Sequence, residues 1–418
     1  MHDENACSRG EFLMKLGLGL GGSAALVDAG QTAAPLATSA ASEPTGADMG
    51  SLYPVIQKLA ESHRYECSFL TDRFQTLQQF ETTAREKVFQ QLLYRPSKVD
   101  PQPEVLERVD LGDFVREKIV FSTGPLFRVP AYVHIPAKLK GRAPAIVDLH
   151  SHGGMFVFGK EKVIDFGTNH PAMVAYQEEN YDGRPTATEL ARRGYVVITI
   201  DAFMFGERRA ILDSERAKGL DRRTYSVEDV RRMNHECAEK ESTVVKSLTF
   251  AGLTWPGIVF WDDMRTVDYL LTRPEVDPAR IGCVGISMGG YRSLYLAALD
   301  PRIAAGCVAG FMSTVRPMLK AHIDTHSFVH FLPGLHGFLD LPDVATLTAP
   351  RPLLVLQCSR DGLFPPQGMK EAVEKIAAVY AKAQCGERFS GRFYDVPHRF
   401  TRRMQEEAFQ WFDQHLKS

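Results

Sequence analysis

The stretch Arg280-Ile281-Gly282-Cys283-Val284-Gly285-Ile286-Ser287-Met288-Gly289-Gly290-Tyr291-Arg292-Ser293-Leu294 decides the fold. Its first half is a short continuous apolar run, the pattern of a strand buried on both faces. From Gly289 to Leu299 apolar residues recur at helical spacing. Between the two, Gly285-Ile286-Ser287-Met288-Gly289 fits G-x-S-x-G, the pentapeptide of a sharp strand-to-helix turn that carries a nucleophile. So short a pattern is weak alone, and the strand before it and helix after it give it weight. The serine on such a turn holds strained dihedrals. Its neighbours must be small so that strand, helix and substrate can approach.

Outward from this turn the alternation continues. Ala145–Leu149, Tyr195–Ile200, Ile303–Ala309, Pro352–Gln357 and Arg388–Val396 read as strands, and Thr186–Arg193, Trp261–Leu271, Gln367–Ala383 and Arg402–Leu416 as helices. This is an α/β protein with a mostly parallel central sheet flanked by helices. The segments 203–255 and 311–348 are too long for connections and read as insertions over the C-terminal edge of the sheet. Upstream, Leu52, Val55, Ile56, Leu59, Phe69, Leu70, Phe74, Leu77, Val88, Leu92 and Leu93 recur at helical spacing. They predict an N-terminal helical segment over 48–104, packed on the core and closed by Arg95-Pro96. Phe114-Val115, Ile119–Phe121 and Tyr132–Ile135 read as strands that open a catalytic domain over 105–418.

A serine hydroxyl needs a base, and the base needs an acid to orient it. After an elbow of this kind the partners follow in the order acid, then histidine. Asp361 follows the strand Pro352–Gln357, and His398 follows the strand Arg388–Val396. Both lie just past strand C-termini, where open α/β sheets gather ligands. Asp395 is the alternative acid, though near His398 in sequence. Two backbone amides must face the developing oxyanion. Met288 supplies one, and the loop His150-Ser151-His152-Gly153-Gly154 supplies the other, with Gly154 the expected donor. His152 is expected to brace this loop and, with Gly153, to border the substrate. A metal role for His150 and His152 is the lesser reading.

His322, His326 and His330 fall four residues apart, with His336 beyond. On a helix they would share a face, which is also metal-ligand spacing. No acidic or Cys partner completes a set, so they read as pocket-lining or structural, with His326 nearest the substrate and no metal expected. Asp201 and Glu207 read first as a loop anchor ion-paired with Arg208 or Arg209. Substrate contact by Glu207 is the alternative. Phe203, Phe205, Trp255 and Trp261 could wall an acyl or alcohol pocket or belong to the core.

Composition agrees with an ordinary globular chain: 418 residues, 44% hydrophobic and 24% charged. The net charge of −2 supplies no field for nucleic acid. Residues 207–241 carry nine basic and nine acidic side chains, a mixed solvated surface. No apolar run approaches the ~18 residues of a membrane span. Seven cysteines form no C-x-x-C pair, and Cys283, Cys307 and Cys358 sit inside apolar runs as small buried hydrophobes. Residues 1–47 read as a leader. Ser8-Arg9-Gly10-Glu11-Phe12-Leu13-Met14-Lys15 before a Gly-rich apolar stretch resembles a twin-arginine export signal with its second Arg replaced by Gly10. The expected location is periplasmic or secreted, with cytoplasmic the alternative.

The run from Trp261-Asp262-Asp263-Met264-Arg265 through Arg273-Pro274-Glu275-Val276-Asp277-Pro278 to the elbow resembles the dienelactone-hydrolase-like and acetylxylan-esterase-like branch of the α/β-hydrolases. The His152-Gly153-Gly154 loop, Asp201…Gly206-Glu207-Arg208 and the placements of Asp361 and His398 resemble the same branch. The resemblance covers about 105–418. It implies the α/β-hydrolase fold and a serine carboxyl-ester hydrolase without cofactor, acting on a small or medium ester such as an acetylated sugar or an aryl ester. Dienelactone hydrolases proper use Cys as nucleophile, so Ser287 favours ester over lactone chemistry. The rival readings are a prolyl-oligopeptidase-like peptidase, which usually carries a large propeller upstream, and a catalytically silent binding protein.

Overall fold

Nine strands among the described residues pair into one sheet. They are β1 (Glu104–Asp110), β2 (Phe114–Ser122), β3 (Arg128–Pro136), β4 (Ala143–Leu149), β5 (Val196–Ile200), β6 (Val276–Ile286), β7 (Ile303–Ala309), β8 (Leu353–Cys358) and β9 (Phe389–Tyr394). Their order is β1-β2-β3-β5-β4-β6-β7-β8-β9. From β5 across to β9 every neighbouring pair is parallel. The pairs β1·β2, β2·β3 and β3·β5 are antiparallel. The computed structural model describes residues 45–417, so the leader-like segment as far as residue 44 lies outside the described residues.

The strands β4, β5 and β8 are buried along their whole lengths, which is why they read as unbroken apolar runs. The edge strand β1, Glu-Val-Leu-Glu-Arg-Val-Asp, is mostly exposed, and its charges guard the open edge against pairing with another chain.

Helices cover both faces. They are α1 (Tyr53–Ser62), α2 (Leu77–Leu92), α3 (Pro171–Tyr181), α4 (Thr186–Arg192), α5 (Asp213–Lys218), α6 (Val227–Phe250), α7 (Trp255–Leu270), α8 (Met288–Leu299), α9 (Val315–Met318), α10 (Leu341–Ala345), α11 (Pro366–Lys382) and α12 (Arg402–Leu416). The insertion after β5 holds α5 and the long α6. The one after β7 holds α9, short 3-10 turns and α10. Among the described residues no single helix is long and apolar enough to cross a membrane.

Some boundaries depart from the sequence reading. The N-terminal segment is two helices with an irregular stretch between them. Phe69 and Phe74 lie in that stretch and pack on Phe80 of α2, with ring centroids 5.4 and 5.7 Å away. Only α2 buries a face, Phe80, Ala84, Val88 and Leu92, whereas α1 buries none of its residues. Helix α7 starts at Trp255, six residues before Trp261, because the Thr254 side chain caps the Gly257 amide at 3.0 Å and Pro256 suits the first turn. Helix α3 has no clear amphipathic period in the sequence. Its start is set by the His170 ring accepting from the Ala172 amide at 3.1 Å and by Pro171. Arg292 of α8 is fully buried and donates twice to Asp263 of α7, at 2.6 and 3.0 Å, locking the helix that follows the elbow to its neighbour.

His134 on β3 is fully buried, and neither ring nitrogen has a hydrogen-bond partner among the described residues. Burial first, and Arg116 second, push its pKa from 6.5 down to about 3. The unfolded chain takes up a proton on this ring near its ordinary value, while the folded chain does not until about pH 3. This contribution to stability is therefore complete above pH 6.5 and lost as pH falls toward 3, by at most about 1.4 kcal/mol per pH unit. His134→Leu should flatten the acid limb of stability, measured as urea midpoints between about pH 7 and about pH 4.5. An unchanged pH dependence would reject the assignment.

Candidate active site

The chain turns at Ser287 between β6 and α8. Ser287 holds φ 60° and ψ −126°, a conformation unusual for a residue with a side chain and costing about 1–3 kcal/mol. Its amide donates to the Ala309 carbonyl of β7 at 3.0 Å and its carbonyl accepts from the Tyr291 amide at 2.9 Å, so both ends of the turn are pinned. The flanking glycines are steric necessities. A Cβ on Gly285 would stand 2.4 Å from the Leu149 carbonyl oxygen, and one on Gly289 only 1.9 Å from the same atom.

Asp361 follows β8 and is buried. Its Oδ2 accepts from His398 Nδ1 at 2.6 Å and its Oδ1 from the Leu363 amide at 2.9 Å. With the proton on Nδ1, the His398 Nε2 lone pair is free. That nitrogen is buried and has no hydrogen-bond partner among the described residues. Gly310 packs beside the ring in a left-handed backbone conformation (φ 55°) that favours glycine. Ser287 and His398 line the same cavity of about 320 Å³. The alternative acid, Asp395, is an exposed residue paired with Arg360 at 2.9 Å, and takes no part in this cluster.

The loop after β4 forms the facing wall: Ser151, His152, Gly153 and Gly154 all line the cavity. His150 is spent on structure, with Nδ1 bonded to the Ser151 carbonyl at 3.0 Å and Nε2 accepting from the Ala202 amide at 3.2 Å. His152 Nδ1 accepts from the Gly154 amide at 3.0 Å, which places its proton on Nε2, donated to Glu241 of α6 at 2.9 Å. The Gly154 amide is thus occupied within its own loop, which corrects the expectation that it faces the oxyanion. Met288 stands first in α8, where a helix leaves its amide without an intrahelical acceptor.

His326 lines the cavity, its Nδ1 bonded to the His322 carbonyl at 2.6 Å and its Nε2 buried without a partner among the described residues. Burial lowers its pKa below 6.5, so the ring faces the cavity as a neutral acceptor. His330 and the rings of Phe311 and Phe364 complete this wall, with His326 and Phe364 centroids 5.1 Å apart. The segment is turns rather than a helix, so the four-residue histidine spacing forms no ligand face. His336 instead bonds the Leu339 carbonyl at 3.0 Å.

Three residues expected near the substrate are elsewhere. Phe203 packs on Phe127 at 5.8 Å, and Trp255 is buried with its Nε1 donating to the Phe203 carbonyl at 3.1 Å. Both belong to the packing beneath the loops. Glu207 lines a second cavity of about 900 Å³ and pairs with Lys160 (2.7 Å) and Lys118 (3.1 Å) rather than with its neighbours in sequence. Arg208 pairs with Asp262, and Arg209 with Glu215. Glu161, Asp201 and Glu207 bring carboxylate oxygens close enough for a cation. The Lys160 ammonium already stands among them at 3.2, 2.6 and 2.7 Å. Glu241 and Ser327, which bond each other at 3.0 Å and so tie the two insertions together behind His152, carry no motif that the sequence could have disclosed.

Comparison with known proteins accords with this arrangement. YtaP of Bacillus subtilis (strain 168), provisionally named a hydrolase, is 28% identical over 299 residues, 71% of this chain and 87% of YtaP. Carbohydrate esterase MZ0003, of an unknown prokaryotic organism, is 24% identical over 305 residues, 66% of this chain and 65% of that protein. The solved structure of BF1801 from Bacteroides fragilis NCTC 9343, provisionally named an acetyl xylan esterase, superposes with TM-score 0.62 at 19% identity. It covers 83% of this chain and 84% of that one, and the likeness shows a shared fold. Residues 38–377 match the Abhydrolase family. With that match over most of its length, and with the sheet order and elbow described above, the chain belongs to the Abhydrolase family and is a hydrolase of the α/β-hydrolase superfamily.

Proposed function

We propose that the protein is a serine carboxyl-ester hydrolase in which His398 takes the proton of Ser287 and Asp361 stabilises the imidazolium that forms. The observation that carries this reading is the His398 ring. It is held by Asp361 through Nδ1, its Nε2 has no partner among the described residues, and it lines the cavity that Ser287 also lines. The Ser287 oxygen attacks the ester carbonyl, and the Met288 amide, at the positive end of α8, holds the tetrahedral oxyanion. His398 then returns the proton to the leaving alcohol, and water repeats the sequence on the acyl-enzyme.

The cavity supports a substrate class. At about 320 Å³ it lies at the lower end of small-molecule sites, which favours a short acyl group on a compact alcohol. Aromatic rings and the His326 acceptor suit an acetylated sugar or an aryl ester. The name of carbohydrate esterase MZ0003 supports the first of these. The Ser8–Lys15 segment supports a periplasmic or secreted enzyme.

Ser287→Ala should abolish labelling by a fluorophosphonate and nearly all ester turnover, and retained turnover would reject the nucleophile. Asp361→Asn should fold normally but lower kcat by about 10⁴-fold, because the amide imposes the wrong tautomer on His398. Rates across p-nitrophenyl acetate, butyrate and octanoate should fall steeply with chain length. Equal rates on acetate and octanoate would contradict the size reading.

A further inference from the structure

Behind the loop that faces Ser287 lies a lysine that neither the motif nor the proposed mechanism uses. Lys162, in the short 3-10 turn Lys160–Val163, is fully buried. Among the described residues no carboxylate pairs with its side-chain nitrogen, and burial drives its pKa well below that of an ordinary lysine. Nζ donates to the Ser151 carbonyl at 2.7 Å and to the His152 carbonyl at 3.0 Å. It also lies over the rings of Phe205 and Tyr176, 4.7 and 5.4 Å from their centroids. Burying a lysine without a carboxylate is costly. Lys160, two residues earlier, shows the usual solution, with three carboxylates around it.

What Lys162 does instead is bond two successive peptide carbonyls with one nitrogen, beside the His150 Nδ1 contact to the Ser151 carbonyl at 3.0 Å and the Met155 amide on the His152 carbonyl at 3.2 Å. In a trans peptide the C=O and N–H point to opposite sides. With the Ser151 and His152 carbonyls drawn inward to Lys162, the His152 and Gly153 amides point away from it. Gly153 lies on the cavity wall, and neither amide has an acceptor among the described residues. Gly153 holds φ 52°, and a Cβ there would stand 2.4 Å from the Tyr176 hydroxyl, so this turn of the loop admits only glycine. Tyr176 is itself tied to the loop through Ser151 Oγ at 2.7 Å. On the opposite flank the Gly154 amide is bound to His152 Nδ1.

We infer that Lys162 is a positioning residue: by holding the Ser151 and His152 carbonyls it turns the Gly153 amide into the cavity, so that Gly153 and Met288 together form the oxyanion hole. Gly154 braces His152 instead. The lysine also withdraws electron density from the His152–Gly153 peptide, which makes its N–H a stronger donor. This rests on the serine-hydrolase reading above.

The test is a crystal structure of the wild-type enzyme after reaction with a fluorophosphonate, joined to kinetics of Lys162→Met, which keeps an unbranched apolar stem and removes the donors. In the adduct the phosphonyl oxygen should lie about 2.7–3.1 Å from the Gly153 and Met288 nitrogens. Lys162→Met should lower kcat by about 10²-fold while KM changes by less than about threefold. A purely structural role would instead reduce the folded fraction and leave kcat per folded molecule unchanged. A phosphonyl oxygen bonded to the Gly154 amide, or to no amide of this loop, overturns the inference, as does a folded Lys162→Met variant with kcat within about twofold of wild type. If that variant does not fold, the adduct geometry in the native enzyme decides. Absence of any adduct at Ser287 defeats the serine-hydrolase reading itself, an outcome distinct from a misplaced phosphonyl oxygen.

Discussion

The whole arrangement depends on backbone meeting backbone without side chains between. At the end of β6 and the start of α8, Gly285 and Gly289 press against the Leu149 carbonyl at the end of β4, closer than any Cβ would permit. Because β4 and β6 are parallel neighbours, this contact places the turn bearing Ser287 directly beside the loop His150–Gly154. Nucleophile and facing amides are thereby set by the sheet itself. The strain at Ser287 is held by hydrogen bonds on both sides of the turn and by the buried pair Arg292–Asp263 behind it.

Around this fixed centre the protein uses charge in two ways. Beneath the loops, Lys118, Lys160 and Arg222 face Asp201, Glu161 and Glu207 in a cluster of three cations and three carboxylates that anchors the chain after β5. Nearer the cavity, polar groups are fewer and each has a directional task. Glu241 sets the tautomer of His152, and Asp361 sets that of His398. Each histidine is held by a carboxylate from a different part of the chain, so the insertion after β5 is part of the active-site frame rather than an addition to it.

Much of this was legible in the sequence where burial writes a continuous apolar run. The strands β4 to β9, the elbow and the residues just past β8 and β9 follow from run length, order and the single requirement that a serine needs a base. Legibility fails where a residue's partner is distant or its direction matters. Nothing local distinguishes Phe203 and Trp255, which pack beneath the loops, from Phe311 and Phe364, which reach the cavity: Phe203 follows the end of β5 nearly as closely as Phe311 follows the end of β7. Glu207 sits beside arginines in sequence yet pairs with lysines brought in by other elements. Gly154 is the expected oxyanion donor from its place in the loop, but the direction of an amide depends on distant partners: the Gly154 amide is taken by His152 Nδ1, and the carbonyls that orient the His152 and Gly153 amides are bonded by Lys162.

Six cysteines among the described residues are free, and all are sealed in the interior. Burial raises the pKa of every one of them, so thiolate is scarce once the chain has closed around them. Before closure the same sulfurs would be exposed to oxidants and to one another, with no native bridge to guide their pairing. Folding in a reducing space therefore removes the hazard of scrambled cross-links, because the closed interior, and not a bridge, is what keeps these six thiols apart from oxidants.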